Sequence, residues 1–223
     1  METVLIELLP YIIGSAVVPI QVIISLLLLK SRSQGLLKAI AYVAGMTITR
    51  LLQGLLFGAV LVGTPHASND KALIVPTLLL VLGILLLITA YKKWSGENDA
   101  DAPPPRWLSA IDQVSPLKAL GIGLGLPLIA AKLWVFTLSA IATISAANLG
   151  QPSSAILFLL FIVLAESLLI IPIMLRILIP KRSQSLLTQM SNWLERNNRS
   201  IVISVSLIFG LWFVYSGITG FLK

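Results

Sequence analysis

LLKAIAYVAGMTITRLLQGLLFGAVLV, residues Leu36 to Val62, is apolar over the depth of a bilayer, with Lys38 near its start and Arg50 alone at its centre. A helix needs about 20 apolar residues to cross about 30 Å of hydrocarbon, so this stretch is long enough to span. An ionised group at that depth costs several kcal/mol unless it meets a partner or a wet cavity. Arg50 therefore marks a polar place inside a membrane bundle. Outward from this run, the chain offers Val4 to Leu29, Leu73 to Tyr91, Leu117 to Ala146, Ser153 to Ile179 and Ser200 to Leu222. The reading is an all-α polytopic membrane protein with six transmembrane helices. Lys132 and Glu166 stand at the centres of the fourth and fifth runs, as Arg50 does in the second.

Composition agrees. Of 223 residues, 57% are hydrophobic and 11% charged, less than half the charged share of a soluble domain. Without cysteine there are no disulfides, thiolate metal sites or cysteine nucleophiles. The net charge of +7 falls in the gaps between apolar runs, which is membrane topology and not a phosphate-binding face, so no nucleic-acid partner is expected. At the amino end, Glu2 and Glu7 replace a basic leader and the apolar run continues to Leu29. That segment is expected to belong to the fold and not to a cleaved signal.

Basic residues fix the orientation. Lys30, Arg32 and Lys38 lie in the first gap, Lys92, Lys93, Arg106 and Lys118 around the third, and Arg176, Lys181, Arg182, Arg196 and Arg199 around the fifth. The other gaps and the termini offer Lys71 and Lys223. Odd gaps inside a cytoplasmic (inner) membrane place both termini on the external side. Residues 94–116, with Pro103, Pro104 and Pro105, read as a cytoplasmic linker between a first three-helix repeat, 1–93, and a second, 117–223. Three spans per half make any repeat an inverted one. Within the second half, 183–199 carries Leu186, Leu187, Met190, Trp193 and Leu194 at helical spacing, as a cytoplasmic helix lying on the membrane surface does.

The candidate pathway groups Arg50, Lys132 and Glu166 with residues that disturb the helices around them. Two of the charges suffice for a structural ion pair; the third leaves a net positive site suited to an anionic group. Pro19 and Pro127 each remove a donor and free carbonyls that protein, water or ligand must satisfy. Gln21 follows Pro19 closely, and Trp134, two residues from Lys132, is set to line the path or stack on a cation. Gly121 to Gly125 and Gly54 to Gly58 have the spacing of close helix contacts, which also allows a homodimer. The glycines at 121, 123 and 125 fail the dinucleotide fingerprint at Leu126. His66, the single histidine, is a loop residue beside Pro65. No nucleophile-base pair or metal constellation is visible, so neither an enzyme nor a cofactor is expected.

Several stretches together carry a family resemblance. The first run ends in Pro19-Ile-Gln-Val-Ile-Ile-Ser-Leu-Leu-Leu-Leu-Lys30-Ser-Arg, Ala44-Gly45 lies in the second, and Pro105-Arg-Trp-Leu-Ser-Ala-Ile-Asp112 precedes the fourth. Leu120-Gly-Ile-Gly-Leu-Gly-Leu-Pro-Leu-Ile-Ala-Ala-Lys132-Leu-Trp occupies the place of an Asn-Pro-Lys motif, with Ala130 and Ala131 ahead of the matching lysine. Over nearly its whole length the chain resembles the LysE-type transporter superfamily, and within it the GAP family of peptidoglycolipid-addressing and sulfolipid-addressing proteins. The resemblance implies export of a lipid or small solute across the cytoplasmic membrane, with Lys132 in the transport region.

Together these readings lead to the expectation of alternating access. The site lies where the broken first and fourth spans meet the second and fifth, Lys132 and Arg50 hold an anionic head group, and Glu166 pairs with one of them. The expected partners are membrane lipids and a lipid or small anionic substrate. The alternatives are a LysE-type amino-acid or ion exporter and a non-transporting accessory subunit of lipid-export machinery.

Overall fold

The computed structural model describes residues 2–31, 33–62, 68–96 and 113–222. His66 and most of the 94–116 linker, including its three prolines, lie outside the described residues. In chain order the helices are α1 (Glu2–Ala16), α2 (Pro19–Lys30), α3 (Gly35–Val62), α4 (Ser68–Trp94), α5 (Pro116–Ile129), α6 (Ala131–Ala146), α7 (Ser153–Ala165), α8 (Ser167–Leu178) and α9 (Pro180–Phe221). Helices α3, α4 and α9 are long and apolar enough to cross a membrane, and the count rises to 6 if each bent pair is one span. The bends are 57° between α1 and α2, 72° between α5 and α6, and 66° between α7 and α8. The chain is a multi-pass α-helical membrane protein.

Two of the breaks have the cause that the prolines announce. Val18 (φ −66°, ψ 108°) is extended and Pro19 opens α2, where a missing N–H costs nothing. Ala130 (φ −80°, ψ 95°) is extended in the same way, just after a turn that contains Pro127. The third break was not foreseen. It falls at Glu166 (φ −98°, ψ 5°), and Pro172 inside α8 disturbs the turn that begins just beyond it.

Each bent pair runs from one apolar core to a second. Leu8 and Tyr11 of α1, Phe136 and Ile144 of α6, and Leu157 and Phe161 of α7 share one core with Leu82 of α4 and Phe213 of α9. Leu26 and Leu28 of α2, Ala119 of α5 and Leu169 of α8 share the other with Tyr42 and Met46 of α3. A re-entrant loop would return to the core it left, whereas these pairs pass on. Between the cores lies the level of the breaks, and the buried polar side chains Ser15, Gln21, Thr49, Arg50 and Glu166 gather there.

Helices α4 and α9 are antiparallel along their length, Gly83 on Val214 and Gly210, and Gly217 on Leu80. Their outer faces stay apolar and uncovered: 28% of the most hydrophobic window of α4 and 22% of that of α9 is buried, as lipid-facing spans require. The segment 183–199 is no separate surface helix but the first part of the 42-residue α9. Leu187, Met190 and Leu194 pack into the second core, while Leu186 and Trp193 stay exposed. Apolar residues at helical spacing suit a protein groove as well as a lipid surface, and here the groove took most of them.

The close glycine contacts also differ from the expected pairs. Gly45 and Gly123 bring the α3 and α5 backbones together: a Cβ at Gly45 would collide with the Leu120 carbonyl, and one at Gly123 with the Tyr42 carbonyl. Gly121, Gly125 and Gly58 face open space.

Candidate functional site

Helices α3 and α7 run antiparallel in a register that can be read residue by residue. A Cβ on Gly54 would strike the Phe158 ring, Arg50 lies over the Phe161 ring at 5.9 Å, and the Thr47 hydroxyl reaches Glu166 Oε2 at 2.7 Å. Arg50 Nε faces Glu166 Oε1 at 3.3 Å, with the two side chains 0% and 1% exposed. Arg50 Nη2 donates to Ser15 Oγ at 2.8 Å, so the guanidinium ties α3 to α1 as well as to the α7–α8 break. An ion pair taken wholly out of water is held by mutual attraction and by the bonds that satisfy its remaining donors. Here the Phe161 ring face and the Ser15 hydroxyl contribute.

The breaks supply this site with polar backbone. At the end of α1 the last carbonyls have no next turn to bond. Gln21 turns back from α2 and its Nε2 donates to the carbonyls of Ser15 and, at 3.4 Å, Ala16. In the second half Trp134 Nε1 donates to the Leu128 carbonyl at 2.9 Å, across the break between α5 and α6. Both reach back six residues. Of the seven pathway candidates, Gln21, Pro19, Trp134 and Pro127 therefore build the breaks, and Arg50 and Glu166 form the buried pair between them.

Lys132 is elsewhere. It is half-buried beside a cavity of about 40 Å³ whose walls include Gly14, Val17, Val18 and Pro19 at the α1–α2 break and Val202, Val205 and Ser206 of α9. Among the described residues no ion pair forms at Lys132. Because Arg199 of α9 bonds the Lys93 and Trp94 carbonyls at the end of α4, the α9 turn beside Lys132 lies just beyond that basic end. The three mid-span charges thus do not share one chamber. Two neutralise each other, and the third sits on the far side of the first broken span.

A larger cavity, about 740 Å³, opens among α3, α6 and α7 at the end of the molecule that holds the start of α1. Leu51, Leu55, Ile141 and Phe158 give it apolar walls, and Ser145, Asn148, Gln151 and Ser154 line it without bringing a charge. Gly54 and Gly58 leave part of this space free of side chains, and their spacing was its one trace in the sequence. Ser15 and Thr47, which hold the ion pair, carried no signal of their own except helical spacing: Ser15 precedes Pro19 by a turn and Thr47 precedes Arg50 by a turn. Among the described residues, no three histidine or carboxylate side chains converge as a metal ion requires.

The family model for Sap, sulfolipid-1-addressing protein, matches residues 8–219, which takes in all three helix breaks and both charged sites. Neither the comparison with curated proteins nor that with solved structures returned a match. The match covers nearly the whole chain and includes the break at Pro19. The chain belongs to the family of the sulfolipid-1-addressing protein.

Proposed function

We propose that this protein is a transporter, not an enzyme, that moves a lipid toward the outer face of the cytoplasmic membrane by alternating access. The single observation that carries the reading is the 740 Å³ cavity: its walls are apolar, its polar lining is uncharged, and its size is that of a ligand site. An amino-acid exporter needs charged partners there for the ammonium and carboxylate of its substrate, and the lining brings none. Acyl chains need none. Family membership supports a role in lipid addressing.

In this reading the six spans form two inverted repeats, the basic end is cytoplasmic and both termini are external. The packing supports the exchange: α4 lies on α6 as α9 lies on α2, α3 touches α5 as α7 touches α1, and α4 pairs with α9. Lys132, near the basic end, receives an anionic head group from the inner leaflet. The cavity beside it is a small fraction of the outer one, which corresponds to a state closed inward and open outward. The Arg50–Glu166 pair forms the barrier between them.

The test is a comparison of lipids extracted from the cell surface with and without the protein, repeated with Gly58→Trp. Gly58 faces open space and lines the large cavity, so the indole fills the cavity without displacing a neighbour. A surface lipid that disappears in both cases, with the variant present in the membrane at normal level, is the expected result. An unchanged surface-lipid profile in the Gly58→Trp cells would overturn the cavity's role.

A further inference from the structure

The Thr47 hydroxyl has two neighbours, Glu166 Oε2 at 2.7 Å and the carbonyl of Val43 at 3.0 Å. It carries one hydrogen. When Glu166 is a carboxylate, Thr47 donates to it; when Glu166 is protonated, the acid donates to Thr47 Oγ and Thr47 turns its hydrogen to Val43. The same geometry therefore serves both protonation states. Arg50 is compatible with both as well, because its Nη2 is held by Ser15 and not by the carboxylate.

Buried polar groups lie on the three helices between this pair and the end of the molecule that holds the start of α1. One turn beyond Arg50 on α3 lies Gln53, 2% exposed, and neither its Oε1 nor its Nε2 has a protein partner. On α6, Ser139 is wholly buried and its Oγ likewise lacks a protein partner. Helix α1 crosses α6 with Gly14 against Phe136 and Tyr11 facing Thr143, and this register brings Ser15 to the turn of α6 that carries Ser139. One turn before Tyr11 is Glu7, exposed at the start of the chain. Buried amides and hydroxyls without protein partners are the groups that ordered water satisfies.

We propose that Glu166 is a proton acceptor fed from the external end along Glu7, Tyr11, Thr143, Ser139, Gln53 and Ser15, and that its protonation removes the charge that neutralises Arg50. The step is a simple transfer: a proton from external water ends on a Glu166 oxygen, the carboxylate becomes a carboxylic acid, and the neutral pair becomes a lone guanidinium. The titratable groups whose charges act on Glu166 are Arg50 and Tyr42, both from α3. Of the elements packed on α7 and α8, α1 brings Tyr11 and Glu7 at the external end, α2 brings Lys30 at its opposite tip, α6 brings Lys132 beside the α1–α2 break, and α9 brings Glu195, Arg196 and Arg199 toward the end of α4, while Arg176 of α8 is bonded to Ser183. A lone cation in the layer between the two cores has to find an anion or water, so the proton and the opening of the barrier are one event. This inference rests on the transporter reading for its purpose, though not for its measurement.

The experiment uses the full chain in phosphatidylcholine vesicles and records infrared difference spectra from about pH 4 to about pH 9, the range that spans ordinary and strongly perturbed carboxyls. A protonated-carboxyl band that titrates in the natural protein and is missing in Glu166→Gln is expected. Thr47→Val keeps the acid and removes its hydroxyl partner; the band should move in frequency and in midpoint. Ser139→Leu blocks the route, and proton uptake after a pH jump outside the vesicles should slow at least tenfold. A difference spectrum identical in Glu166→Gln, or an uptake rate unchanged by Ser139→Leu, would overturn the proposal. Neither readout involves lipid export. If surface lipids are unchanged without the protein while Glu166 titrates, the lipid reading fails and this one stands.

Discussion

Arg50 and Lys132 stand in the sequence as equivalents, lone cations in the middle of apolar runs, and the fold treats them in opposite ways. Arg50 is sealed between the two cores, with a carboxylate, a hydroxyl and an aromatic face as neighbours. Lys132 keeps part of its surface open and, among the described residues, has a small cavity in place of a counter-ion. The difference follows from the two side chains. A guanidinium is planar and weakly hydrated, with five donors, and it can exchange water for several fixed partners; an ammonium on a flexible stem is strongly hydrated and keeps access to water or a ligand. A charge within a span is therefore a commitment to structure when three helices meet on it, and a candidate for binding when they do not.

The largest effect comes from breaking the sealed pair. Arg50→Met strands Glu166 in an apolar layer and should cost about 3–5 kcal/mol of stability, the usual penalty for removing one partner of a buried ion pair. Adding Glu166→Gln removes the stranded charge and should restore more than half of the loss. Thermal unfolding in detergent of the two single variants and the double variant gives the coupling directly. If the double variant were no more stable than Arg50→Met alone, the attraction between the two charges would not be what holds the layer together.

How far this contrast was legible depends on whether the signal was local. Six apolar runs, the prolines at two breaks and the charges themselves are visible because each disturbs a helix or a bilayer at its own position. That Glu166 pairs with Arg50 and not with Lys132 depends on the α3–α7 register, which positions 47, 50 and 54 share with 166, 161 and 158 and no single segment encodes. The same holds for Leu187, Met190 and Leu194, whose spacing fits a membrane surface as well as the groove they fill. The break at Glu166 has a partial cue in Pro172, six residues later. The large cavity is the space that small residues leave on three helices, and Gly54 and Gly58 were its only sign in the chain.

The two proline breaks sharpen the comparison at a smaller scale. Gln21 satisfies two carbonyls in a wholly buried place, whereas Trp134 satisfies one from a half-buried position and rests its ring edge-on against Phe57 at 5.5 Å. Gln21→Leu leaves buried acceptors without a donor and should cost about 1–3 kcal/mol. Trp134→Phe keeps the ring contact and gives up a single bond to the Leu128 carbonyl, so about 1 kcal/mol is expected. Equal losses in the same unfolding assay would mean that the half around Lys132 is as tightly built as the half around Arg50.

The smallest effect on stability, and the one that separates structure from function most cleanly, belongs to Lys132→Met. The substitution keeps the length of the side chain and removes a half-buried ammonium with no ion partner among the described residues, so the hydration regained and the packing retained nearly cancel. The unfolding midpoint should stay within the range of an ordinary exposed substitution, about 0.5 kcal/mol. Surface lipid should nevertheless fall as far as it does without the protein, because the inner cavity has lost the charge that draws an anionic head group. Lys132→Arg keeps the charge with a bulkier head, and beside a cavity of about 40 Å³ it should restore export only in part. A Lys132→Met protein that loses several kcal/mol of stability would place this lysine in the same structural class as Arg50. One that folds normally and exports normally would move the head-group site away from the α1–α2 break altogether.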